Sequence, residues 1–225
     1  VKKYLVLPML VVLLGGISHA ADMVIGNFSA GNLDGWEPQT FRGKSESKYS
    51  LSKDGERIVL RAYSRNSASG LIRKVKVIPE QYSVLRWSWK IDRPLKKEDG
   101  TRKEGDDYAA RVYVVFPGTF FWRTRAIVYV WSDKLAEGTA IRNPYTSNAV
   151  IVAAEAGREN AGKWVHEERN YYEDYRRLFG EYPPKLGAVA VMTDTDDTSD
   201  EATAWYGDII LSRAHPQMPP ESHRK

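Results

Sequence analysis

The heptapeptide LRWSWKI at residues 85–91 sets Leu85, Trp87, Trp89 and Ile91 on one side of the chain and Arg86, Ser88 and Lys90 on the other. Successive side chains of a strand point to opposite faces, so this run predicts a half-buried strand. The same rhythm recurs over 58–63 and over 111–116, where Val112, Val114 and Phe116 alternate with Arg111, Tyr113 and Val115. It returns over 126–132, 149–154, 163–169, 186–193 and 203–211. Turn clusters divide these runs: Lys53-Asp54-Gly55, Asn66 to Gly70, Lys97 to Gly105, Pro117-Gly118 and Asp194 to Asp200. Many short alternating strands with such punctuation predict an all-β fold, an antiparallel β-sandwich of jelly-roll type.

One segment breaks the rhythm. Tyr171, Tyr172, Tyr175, Leu178 and Phe179 recur at helical spacing. Asn170 suits the N-cap, Glu173 follows at capping-box distance, Gly180 suits the residue after the last turn, and Pro183-Pro184 stops continuation. A short helix is expected over 170–179.

The ends of the chain differ from its middle. Lys2 and Lys3 precede an apolar run from Leu5 to Ile17, and Ser18-His19-Ala20 supplies small residues ahead of Ala21. That pattern predicts a signal peptide over 1–20, cleaved after Ala20, and a periplasmic or secreted protein. The apolar run is too short for a transmembrane helix, and no second run of spanning length follows. A single β-sandwich domain is expected over 21–213. The last stretch, 214–225, has three prolines and few apolar residues, and is expected to be disordered.

Composition narrows the function classes. The formal charge of +4 includes Lys2 and Lys3, and no Lys/Arg cluster marks a nucleic-acid footprint. With no cysteine, disulfides and thiolate metal sites are excluded, so stability rests on burial. Seven Trp and thirteen Tyr suit both strand packing and sugar stacking. There is no Gly-x-Ser-x-Gly elbow, no P-loop and no dinucleotide fingerprint.

Longer stretches carry a resemblance. RWSWKID at 86–92, EGDDYAARVYVVF at 104–116, NYYEDYRRLFGEYPPKLGAVAVMTDTDDT at 170–198 and ATAWYGDI at 202–209 together resemble a bacterial family of secreted proteins known only as domain of unknown function 3047. That likeness implies no activity. GNFSAGNLDGW at 26–36 and AWYGDIIL at 204–211 are similar to the opening and closing strands of galactose-binding-like carbohydrate-binding modules. This second likeness implies a sandwich whose first and last strands are neighbours, often with a structural calcium. Asp208 matches the closing-strand acid, and Ser29 stands where the opening acid would be.

The residues offer several candidate sites. Arg86 and Lys90 share the polar side of one strand, Arg111 and Tyr113 share a side of a second, and Tyr129 and Trp131 share a side of a third. Gathered on one sheet, they would form a face of aromatic platforms and cationic donors, suited to sugar rings, hydroxyls or uronate carboxylates. An ordinary solvated face, with Lys and Arg stems lying over aromatics, is the other reading. The acid-rich turn from Asp194 to Glu201 offers oxygen ligands, and Asp194, Asp196 and Asp208 are the candidate calcium ligands. A solvated acidic turn is the alternative.

Catalysis has weaker support. Glu104, Asp106 and Asp107 precede the Arg111 strand and could supply an acid or base, or simply pair with Arg111. His166 with Arg111 and Tyr113 or Tyr129 would suit a polysaccharide lyase. The expected function is therefore a non-catalytic module binding a carbohydrate or envelope glycan. A lyase or glycoside hydrolase on the same scaffold, or a protein-interaction module, are the alternatives.

Overall fold

The computed structural model describes residues 21–214. The expected signal peptide over 1–20, and all but Ala214 of the expected disordered tail, lie outside the described residues. The chain runs β1 (Met23–Gly26), β2 (Trp36–Thr40), β3 (Lys48–Asp54), β4 (Arg57–Arg65), β5 (Ala68–Val77), β6 (Val84–Ile91), β7 (Arg111–Phe116), β8 (Arg125–Ser132), β9 (Ala140–Arg142), β10 (Ala149–Ala156), β11 (Val165–Asn170), α1 (Tyr171–Phe179), β12 (Leu186–Asp194), β13 (Glu201–Tyr206) and β14 (Ile209–Ser212). Two sheets form a sandwich. The first holds β1, β14, β6, β13, β4, β3 and β11; the second has the order β2-β5-β12-β7-β8-β10-β9.

The strand that opened the sequence reading is the centre of the first sheet. β6 pairs with β11 on one edge and with β13 and then β14 on the other. Tyr206 stands opposite Trp89 and Ile210 opposite Arg86, so the β13–β14 strand carries one extra residue at Gly207-Asp208. This is a bulge, a device that re-aims a side chain. β1 lies beside β14, as expected of first and last strands.

The second sheet departs from the antiparallel expectation at one place. β8 and β10 run parallel, with Ile127 opposite Val150 and Tyr129 opposite Val152. A parallel pair needs a crossover; here the chain passes through β9, which pairs on the far edge of β10. β5 was hidden in the sequence by Arg73, Lys74 and Lys76, which interrupt the apolar alternation on its outer half.

The core lies between the sheets. Leu85, Trp87, Trp89 and Ile91 of β6 meet Val112, Val114 and Phe116 of β7 and Ile127, Tyr129 and Trp131 of β8 in one apolar cluster. Rings interlock across the gap: Trp87 and Tyr129 have centroids 5.3 Å apart, and Trp89 and Trp131 6.0 Å. Burial on this scale, with aromatic pairing on top, stands in for the missing disulfides.

The expected helix forms over Tyr171–Phe179. The Asn170 side chain accepts from the Glu173 amide at 3.1 Å, and Gly180 ends the helix in the left-handed region at φ 74°. Its buried face presents Tyr171 and Tyr175 to Phe116, and Asp174 accepts from the Tyr129 hydroxyl at 2.7 Å.

Candidate functional site

The outer face of the second sheet is divided into a covered half and an open half. Over β8 and β10, Tyr108 and the segments around Leu135 and Ile141 fold back onto Val128, Val130 and Ile151 and bury them. Over β5, β12 and β7 the sheet stays open as a groove of about 460 Å³. Its floor is small and apolar, with Gly70, Ile72, Ala190, Met192, Tyr113 and Val115. Gly70 has a steric reason: a Cβ there would stand 2.7 Å from the Val191 carbonyl oxygen.

Loops make the walls. Gln39, Phe41 and Lys44 rise from the β2–β3 side, and Asn143, Tyr145 and Thr146 from the β9–β10 side. Phe41 and Tyr145 are exposed. The Tyr145 hydroxyl donates to Asp197 at 2.8 Å, which fixes the ring against the acidic turn. The β7–β8 connection abuts this second wall: Asn148 donates to the Trp122 carbonyl at 2.6 Å. There the Phe120 and Trp122 rings stack in parallel with centroids 4.8 Å apart, both solvent-exposed.

One end of the groove is a buried ionic network. Arg111 Nε donates to Asp194 Oδ1 at 2.8 Å and Nη1 to Asp106 Oδ1 at 3.0 Å, while Nη2 reaches Asp194 Oδ2. Asn143 secures the other Asp106 oxygen at 2.8 Å, and the guanidinium lies 4.7 Å from the Tyr108 ring centroid. Burial works against the Arg111 charge, but the flanking carboxylates of Asp194 and Asp106 more than offset it and hold its pKa well up. Burial likewise pushes the Tyr113 hydroxyl up to about 12, and that hydroxyl donates to Met192 Sδ at 3.6 Å. Nearer the mouth, Lys44 Nζ bridges Asp196 and Asp197, the latter at 3.5 Å.

The six expected binding residues do not share a face. Arg111 and Tyr113 line this groove. Arg86 and Lys90 are on the outer face of the first sheet, across the sandwich. There Arg86 pairs with Asp22, and Lys90 pairs with Asp54 at 2.6 Å between the rings of Trp164 and Trp205. Tyr129 and Trp131 point inward and are fully buried. Their strand is covered on both sides, so it has no polar face to mark its outward positions, and Tyr129 and Trp131 face the core instead of the surface.

The expected calcium ligands are also separated. Asp208, re-aimed by the bulge, accepts from the Ser29 amide at 2.8 Å on the first sheet's outer face. Asp194 and Asp196 instead converge with Asp107, their carboxylate oxygens lying within 4.8 Å of one another. Two of these three already have cationic partners, Arg111 and Lys44. Asp107 accepts from the Thr198 amide at 2.6 Å, and burial raises its pKa.

The lyase grouping is not assembled. His166 lies beside Ser88 on the outer face of the first sheet, away from Arg111. Asp106 pairs with Arg111, the simpler of the two roles open to it. Sequence reasoning missed Phe41, Lys44, Asn143 and Tyr145, which sit in irregular loops where no periodicity marks them. The one available signal was an aromatic within a polar turn segment, Asn143-Pro144-Tyr145-Thr146.

Comparison with known proteins agrees with the fold. The sequence profile of a family described as protein of unknown function (DUF3047) matches residues 34–210, and the chain belongs to that family. No curated protein matches the chain. Among solved structures it is similar to the family 11 carbohydrate-binding module of the cellulosomal cellulase Lic26A-Cel5E of Clostridium thermocellum. The identity is 9%, the TM-score 0.50, and the match covers 89% of this chain and all of that one. A family 29 carbohydrate-binding module is similar at 11% identity and TM-score 0.42, over 89% of this chain and 99% of that one. The first of these likenesses shows the β-sandwich fold.

Proposed function

We propose that this DUF3047 protein is a non-catalytic module that binds a carbohydrate or cell-envelope glycan in the groove over β5, β12 and β7. The observation that carries the reading is the groove itself. It has an uncovered, largely apolar floor that includes Tyr113 and is flanked by Phe41 and Tyr145, with hydrogen-bonding groups of Gln39, Asn143, Asp196 and Asp197 in reach. Aromatic rings stack on the C–H faces of sugars, and fixed polar groups read the hydroxyls. The fold shared with carbohydrate-binding modules supports this use of a sheet face, as analogy.

Chemistry is not favoured by the arrangement. Glycoside hydrolysis generally uses two carboxyls facing each other across the bond. Asp106 and Asp194 instead share one guanidinium, with Arg111 held between them. The pattern of residues 1–20 supports export, which would bring the groove to envelope glycans.

A glycan array probed with the purified protein tests the reading, followed by calorimetry on the hits. Binding that Tyr145→Ala and Phe41→Ala each weaken, with the melting temperature kept, is the expected result. Hits unaffected by both changes, or no hits, would overturn the reading.

A further inference from the structure

We propose that the groove selects glycans that are neutral or carry amines and rejects chains bearing uronic acids. This rests on the glycan-binding reading above and assigns the class of sugar. Among the described residues, the groove is lined by four carboxylates, those of Asp106, Asp194, Asp196 and Asp197, and by two cations, Lys44 and Arg111.

Each cation is already shared between two carboxylates. Arg111 is 2% exposed, with Nε and Nη2 on Asp194 and Nη1 on Asp106. Its planar fork is the group that would clasp a uronate, and it is taken. The Lys44 ammonium spans Asp196 and Asp197. Lys103 lies over the Tyr145 ring, 5.3 Å from its centroid, and exposed Arg42 follows Phe41 on the opposite wall; both are cations that this selectivity must outweigh.

An incoming uronate would therefore meet, among the residues that line the groove, an excess of like charge and no uncommitted guanidinium. A hydroxyl or an ammonium meets the opposite situation. Ionised carboxylates are acceptors with several lone pairs, and those of Asp196 and Asp197 have side-chain exposures of 9% and 16% at the groove mouth. The protein's own Lys44 demonstrates the fit, since an ammonium already sits between them.

The test is calorimetry of the purified protein in low-salt buffer free of divalent ions, with three hexasaccharides as probes: one of glucose, one of glucosamine and one of galacturonate. At least one of the first two should bind, and the galacturonate chain at least tenfold more weakly. Added salt should narrow that gap, because exposed charges are screened. Asp196→Asn with Asp197→Asn should narrow it as well, and Lys44→Gln should widen the margin of glucosamine over galacturonate. Each variant's fold is checked by its melting curve. Galacturonate binding as tight as the best of the others would overturn the charge rule and leave the glycan reading standing. Failure of all three together with an empty glycan array would overturn the glycan reading, and the rule with it.

Discussion

Arg111 and Asp194 lie fork to fork, with Nε 2.8 Å from Oδ1, and both are at most 3% exposed. The pair ties the start of β7 to the end of β12, and Asp106 joins from the loop before β7 at 3.0 Å. Burying these charges costs desolvation, which is recovered only while every partner stays in place. Arg111→Met strands two buried carboxylates and should lower unfolding free energy by about 3–5 kcal/mol in urea titrations. Arg111→Lys should recover little, since a lysine cannot reproduce the bidentate geometry. Asp194→Leu added to Arg111→Met should restore part of the loss, which a double-mutant cycle would read directly.

Two other carboxyls, the buried Glu98 and the half-buried Glu167, make stability depend on pH. Glu98 accepts from the Asp133 amide at 2.7 Å and from Ser132 through Oε1, while Oε2 has no hydrogen-bond partner. Burial pushes its pKa up to about 7, and burial does the same to Glu167. The folded state keeps these protons up to about pH 7, whereas the unfolded chain releases them near 4.5. Between those values the folded state binds more protons, so stability falls as pH rises through the window, by up to about 1.4 kcal/mol per pH unit for each group. Glu98→Gln should flatten the slope of unfolding free energy between pH 4.5 and 7. An unchanged slope in that variant would contradict the assignment.

The aromatic residues should divide into two classes. Tyr129 and Trp131 are fully buried against Trp87 and Trp89, so truncating either to Ala should cost about 3–5 kcal/mol of stability. Tyr145 is exposed on the groove wall, and Tyr145→Ala should leave stability within about 1 kcal/mol of the parent. Its loss should weaken glycan binding about three- to tenfold, the worth of one aromatic stacking contact. Melting curves and calorimetry on the same three variants would sort them.

The helix gives a smaller, local prediction. Asn170 caps the first turn of α1, its Oδ1 accepting from the Glu173 amide. Asn170→Ala should cost about 1 kcal/mol, and Asn170→Asp should cost much less because it keeps the acceptor. Thermal denaturation followed by circular dichroism would distinguish the two.

The residues themselves determined the elements with a one-sided environment. β6 has a polar face and an apolar face, so its alternation was legible, as were the capped ends of α1. Those patterns depend only on neighbours a few residues apart. Strand β8 is apolar from Ala126 to Trp131 because loops bury its outer face, and nothing local tells Tyr129 from Val128. Likewise, Arg86 and Arg111 both read as outward cations, and which sheet each belongs to depends on strand order, set by contacts far apart along the chain. The groove is of that second kind. It exists because loops around Phe41 and Tyr145, about a hundred residues apart in sequence, rise on either side of one uncovered stretch of sheet, and only the closing of the sandwich brings them together.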